Sequence, residues 1–150
     1  MGSLVSAFRV NAPVEKVWDL HRNPAVLKRI SPPGLVVRLP DPAPEPENGV
    51  RFLLRLHPLG LPWGIPWESI FSDVEPPFGF VDTQGQGPFA SWRHSHRFEP
   101  LADGGTRIVE HVDWVAPFGW LGRIADTIVL QPMLRATFIY RKIQLTKILR

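Results

Sequence analysis

The sequence predicts an α+β fold: a curved antiparallel sheet of about six to seven strands around a long C-terminal helix, with two short helices after the first strand. Three observations carry this. Segments between residues 35 and 115 read as strands joined by short turns, which makes chain neighbours antiparallel. Leu134, Phe138, Leu145 and Leu149 fall on one stripe at helical spacing. Residues 49–57 alternate, with Val50, Phe52, Leu54 and Leu56 on one face and Arg51, Arg55 and His57 on the other. A sheet with one wet face needs a cover on its dry face, and only the last helix is long enough to supply it.

The elements follow in order. Residues 4–11 read as a strand. Asn11-Ala12-Pro13 opens a helix, with Pro suited to its first position, Glu15 in the first turn, and Val14, Val17 and Trp18 as a buried stripe. Asn23-Pro24 starts a second short helix with Leu27 and Ile30 inward, and Ser31-Pro32-Pro33-Gly34 ends it. After a strand at 35–39, the Pro-rich segment 40–46 is an extended loop. Strands at 67–74 and 78–84 flank the turn at Glu75-Pro76-Pro77. Residues 89–98 and 106–115 form the strongest hairpin, turned by Asp103-Gly104-Gly105. Pro132 marks a kink or break in the C-terminal helical region.

Composition sets bounds. A chain of 150 residues fits one core, and no linker or repeat divides it. Six Trp and nine Phe against one Tyr suit an apolar interior or cavity wall. Net charge is +3, but the Arg residues are scattered, which speaks against nucleic acid as a partner. With no Cys there is no disulfide or thiolate site, as suits a cytoplasmic protein. No stretch approaches a membrane span, and no charged-then-apolar leader opens the chain. Gly2 to Ser6 fits the loose myristoylation pattern, but residues 4–10 read as strand instead.

Asn11-Ala12-Pro13-Val14-Glu15-Lys16-Val17-Trp18 resembles the entry to the first helix of START-like proteins. That superfamily takes in the SRPBCC domains and the polyketide cyclase/dehydrase and lipid-transport families. Gly87-Pro88-Phe89, then Trp92, His94, His96 and Phe98, then Gly105-Thr106, Glu110, Val112, Trp114 and Pro117 resemble a bacterial ligand-binding branch of SRPBCC proteins. The likeness spans nearly the whole chain. It implies a single ligand-binding domain over residues 1–150, with the helix-grip fold and a deep cavity beneath the C-terminal helix. Family members include binders, carriers, hormone receptors and a few enzymes, so the fold does not choose among them. The branch carries Asp and Tyr where this chain has Glu110 and Trp114, and the missing Tyr hydroxyl removes one polar anchor.

The chemistry-bearing residues lie on the hairpin and the last helix. Trp92, His94, His96 and Phe98 share one face of their strand, Ser91, Arg93, Ser95 and Arg97 the other. On the paired strand, Ile108, Val112 and Trp114 mark the inner face and carry Glu110 inward. The opposite phase would bury His111 and Asp113 with only Val109 and Val115. An inward Glu110 beside the His pair is either a core network that fixes the hairpin register or a polar patch facing a ligand. Arg141 falls inside the apolar stripe of the last helix. It either pairs with Glu110 or a ligand carboxylate, or reaches past the stripe to water. His-x-His on a strand also suits a metal, but two ligands fall short of a set, so neither a metal nor another cofactor is expected.

Two functions follow. The first is binding or carriage of an apolar small molecule, with Trp67, Phe71, Phe80, Trp92, Trp114 and Phe138 as walls and His94, His96, Glu110 and Arg141 as polar anchors. The second is a cyclase or dehydratase acting on a polyketide-like or aromatic substrate, with His94, His96 and Glu110 moving a proton. A chaperone-activator type of interaction module is a third use of such a fold. The apolar loops 58–66 and 117–122 serve as lids, as a homodimer surface, or as plugs of the core, and the sequence leaves these open.

Overall fold

The computed structural model describes residues 1–150. The chain runs β1 (Gly2–Val10), α1 (Val14–His21), a 3₁₀ turn (Pro24–Val26), α2 (Leu27–Ile30), β2 (Leu35–Arg38), β3 (Arg51–Pro58), β4 (Ile65–Glu75), β5 (Gly79–Gln84), β6 (Ser91–Pro100) and β7 (Thr106–Val115). It ends in α3 (Gly119–Ala125), a π turn (Asp126–Leu130) and α4 (Gln131–Ile148). All seven strands join one antiparallel sheet in the order β1-β7-β6-β5-β4-β3-β2. The first strand closes the meander by pairing with the last. This is the helix-grip arrangement, and the two short helices sit where the sequence places them.

Local chemistry accounts for the elements. Asn23 caps the 3₁₀ turn, its side-chain oxygen accepting from the Ala25 amide at 3.0 Å. Asp103 accepts from the Gly105 amide at 3.0 Å and closes the β6–β7 turn, with Gly104 in the left-handed region. Pro132 does not break the C-terminal helix. Its ring would crowd the carbonyl of Ile128 four residues back. The preceding turn widens to π geometry, and α4 then carries Pro132 in its first turn.

Leu134, Phe138, Arg141 and Leu145 form the buried stripe of α4, as their spacing requires. The dry sheet face supplies Phe52, Leu54, Trp67, Phe71, Phe80, Phe98 and Ile108. One assignment needs correction. His57 lies on the Arg55 side as expected but is buried there rather than wet, because the 59–64 loop folds over it and the Leu61 carbonyl accepts from its Nδ1 at 2.8 Å. Gly2 lies within β1 against the Trp114 indole.

The topology gives the sheet two different ends. The β3–β4 loop, the β5–β6 loop, the start of β1 and the entry to α3 share one end, here the loop end. The β4–β5 and β6–β7 turns and the exit from β1 share the other. The interior also divides along this axis. A large apolar cluster runs from Phe8 and Val17 to Leu145 and Leu149. A smaller one, Val112, Trp114, Leu134 and Phe138, lies toward the loop end.

Gly79 opens β5 with φ at 141°, and a Cβ there would overlap the His96 carbonyl oxygen. Gly79→Ala is expected to cost about 3 kcal/mol in urea unfolding, from strain and displacement of β6 together. A wild-type midpoint would contradict this close approach.

Candidate functional site

Between the two apolar clusters lies a layer of buried charge. Strand register assembles it: Asp82 pairs across from His94, and His96 across from Glu110. Arg141 enters from α4 between Phe138 and Leu145. Its Nε donates to Glu110 Oε1 at 2.7 Å, and Glu110 is fully buried. Of the readings open for Arg141, the structure takes the pairing with Glu110.

His96 lies between the two carboxylates. Its Nε2 donates to Asp82 Oδ2 at 2.8 Å, and its Nδ1 stands 3.5 Å from Glu110 Oε1. Phe80 stacks on one side of the ring at 4.3 Å between centroids, and the His94 ring lies 3.8 Å away. His94 is 3.8 Å from each carboxylate, too far to hydrogen-bond either. His21, from the last turn of α1, approaches His96 at 6.4 Å between ring centroids and donates through Nδ1 to the Val17 carbonyl at 2.8 Å.

The electrostatics separate these histidines. Burial drives the His94 pKa down to about 3, and the adjacent His96 pushes the same way, so His94 is neutral. Burial, followed by the Arg141 charge, lowers His21 to about 3 as well. Burial also opposes charge on His96, but the hydrogen bond to Asp82 and the nearby Glu110 carboxylate outweigh it and raise its pKa. Burial works against the Glu110 carboxylate too, yet Arg141 and then His96 hold its pKa well below the usual carboxylate range. Asp82 is likewise lowered, against burial, chiefly by its hydrogen bond to His96 and also by the charges of His96 and Arg141. The layer thus balances two carboxylates, Asp82 and Glu110, against two cations, His96 and Arg141.

Three buried polar atoms of this layer lack partners: His94 Nε2, His96 Nδ1 and Glu110 Oε2. The two ring nitrogens lie within 3.8 Å of Glu110 Oε1, so all three gather round one carboxylate. Asp82, His94 and His96 also bring donor atoms within 4.8 Å of one another, close enough for a divalent ion. However, part of this donor set is already engaged. The Asp82 oxygen already accepts from His96, and Arg141 adds positive charge. These features suit a hydrogen-bonded cluster better than a coordination shell.

The residues expected as walls are present, and they pack on one another. Trp67 meets Trp92 edge-on at 5.2 Å, Phe71 meets Phe80 at 5.7 Å, and His94 meets Phe138 at 5.5 Å between centroids. Trp92 and Trp114 also line a concavity of about 310 Å³ at the loop end. Sequence reasoning missed Asp82, His21 and Asp126. Asp82 lies in a strand correctly read, but nothing in its own strand's pattern singles it out. Asp126 is buried in the π turn, where it accepts from the Trp114 indole and, at 3.1 Å, from Gln131. A lone acid in an otherwise basic and apolar helical stretch was the available signal.

A seven-stranded antiparallel sheet gripping one long C-terminal helix defines the helix-grip class of domain. Within it, the chain belongs to the polyketide cyclase/dehydrase and lipid transport family, whose sequence profile matches residues 1–138. Solved structures agree on the fold. A Chromobacterium violaceum protein superposes with a TM-score of 0.77 at 13% identity, covering 99% of this chain and 98% of that one. A START superfamily protein from Mycobacterium smegmatis gives 0.67 at 14% identity, covering 98% and 96%. The ZhuI aromatase/cyclase from a Streptomyces species gives 0.64 at 20% identity, covering 97% and 89%. No curated protein matches the chain in sequence.

The charged layer sets a pH dependence. His94 and His21 fold neutral with pKa values near 3 against 6.5 unfolded. Their contribution is full above pH 6.5 and is lost as pH falls toward 3, at about 1.4 kcal/mol per pH unit for each group. His96 acts oppositely. Its contribution is full below 6.5 and is lost as pH rises through its raised folded pKa. Unfolding free energy should peak near pH 6.5 and fall on the acid side, with a shallower fall in His94→Asn. A profile flat from pH 6.5 to 5 would contradict this.

Arg141→Leu should cost about 3–5 kcal/mol by taking from the buried Glu110 carboxylate its one hydrogen-bonded cation, and adding Glu110→Gln should restore part of the loss. Additive losses in denaturant titrations would contradict the pairing.

Proposed function

We propose that the domain binds an apolar small molecule bearing a hydroxyl or carbonyl group. Its apolar body packs in the smaller cluster by Trp92, Trp114 and Phe138, and its oxygen reaches the charged layer. The observation carrying this reading is the group of three unpartnered polar atoms around Glu110, since buried donors and acceptors without partners are rare and costly. A ligand hydroxyl would accept from His96 Nδ1 and donate to Glu110 Oε2. The apolar surround supplies affinity, and the few polar groups supply orientation. The family, which includes ligand-binding and lipid-transport proteins, supports the class of ligand.

Native mass spectrometry of the purified protein, against the same protein after denaturing extraction, should show a retained mass that extraction removes. Tryptophan quenching by 2-naphthol and naphthalene gives the direct test. Glu110→Gln should weaken the hydroxylated probe about tenfold while leaving the hydrocarbon within about twofold. Failure of both probes to reach the interior tryptophans would overturn the reading.

One observation favours a second reading, cyclase or dehydratase chemistry on a related substrate. A charged His96 and a neutral His94 with ring centroids 3.8 Å apart offer an acid and a base side by side. The ZhuI aromatase/cyclase shares the fold at 20% identity. A turnover pH profile unchanged on replacing both His by Gln would remove this reading.

A further inference from the structure

The loop end leaves apolar side chains in water that nothing in the chain covers. On the run from the β7 exit through the π turn, Phe118, Trp120, Leu121, Ile124 and Ile128 are exposed, Phe118 at 84% and Trp120 at 64%. Phe118 also has φ at 67°, so this position combines a left-handed backbone with a solvated aromatic ring. The topology brings a second segment to the same end, the β3–β4 loop with Leu59 and Trp63 exposed. An open groove of about 510 Å³ runs between Trp120, Ile124 and Ile128, with Arg123 on its wall.

Charge identifies what this surface fits. Residues 58–66 and 85–90 carry no charged side chain. Residues 116–135 carry Arg123 and Arg135, both exposed, and one acid, Asp126, which is buried. The outer side of α4 continues the pattern with Ile139, Lys142 and Ile143. The acids near the turns of the opposite end, Asp73, Glu75, Glu99 and Asp103, are exposed and ion-paired. Aromatic and aliphatic side chains rimmed by arginine match the boundary between anionic headgroups and acyl chains, and the nearest part-exposed acid, Asp113 on β7, is already paired with His111. A second copy of the chain fits poorly, since two such faces would juxtapose Arg123 and Arg135 with no acid to pair them.

We propose that the loop end is a peripheral docking face for an anionic lipid bilayer, on which Phe118, Trp120, Leu121 and Trp63 enter the interface while Arg123 and Arg135 meet headgroup phosphates. The proposal does not depend on the interior ligand.

The test is co-sedimentation of the whole chain with vesicles of phosphatidylcholine alone or with about 30% phosphatidylglycerol. Binding should be at least about tenfold stronger on the anionic vesicles and should fall away by about 0.5 M salt. Trp120→Ala with Leu121→Ala should weaken it about tenfold, and Arg123→Glu should remove much of its salt dependence. These side chains are exposed, and thermal melts alongside will confirm that the variants fold. Three results would overturn the proposal. They are no binding to anionic vesicles at low salt, binding unchanged in the double variant, or a sedimenting dimer that the double variant dissolves, which would assign the face to a second copy.

Discussion

The ion pair between Arg141 and Glu110 is the interaction on which the rest of the interior depends. Placing a carboxylate in a core costs several kcal/mol unless a partner and hydrogen bonds compensate it. Arg141 supplies both, but as a monovalent cation it leaves Asp82 to be answered. His96 answers it, and in doing so lies between the two acids. The second histidine then cannot also be charged. Neutral His94 and charged His96 are therefore consequences of one count, two acids against two bases, in a largely buried layer that only Asp82 leaves part-exposed.

This layer also gives the fold its specificity. Apolar residues alone hold a strand on its face but tolerate exchange with one another. Charged groups at successive inward positions do not. A one-residue slip of β7 against β6 would remove Glu110 from His96 and Arg141 and turn Val109 inward in its place. The layer also separates two apolar regions with different roles. The larger is packed by α1, α2 and the end of α4, and it holds the domain together. The smaller, near the loop end, borders the polar atoms left without partners. Stability and binding are thus assigned to different parts of one interior.

Much of this was legible in the sequence because it rests on periodicity. Period two fixed the inward phase of β6 and β7, and with it His94, His96 and Glu110. Helical spacing put Arg141 on the inner stripe of α4. What periodicity cannot supply is which inward residues meet across non-adjacent segments. Asp82 sits in a short strand, Gly79-Phe80-Val81-Asp82, whose pattern marks no special position, and only the register of β5 on β6 brings it to the histidines. Nothing in the spacing of α1 marks His21, and its burial depends on how α1 docks. His57 has the face that alternation on β3 assigns to it but not the exposure, because the following loop covers that position. The π turn before Pro132 is visible in sequence only as a conflict between a proline and a long helical stripe.

The central claim is that, of the three histidines at the charged layer, His96 is charged while His94 and His21 are neutral, and nitrogen NMR of the imidazole rings at neutral pH tests it most directly. The account predicts that His96 carries protons on both ring nitrogens while His94 and His21 each carry one. A neutral His96, or a charged His94, would contradict the balance of charge from which the site has been built.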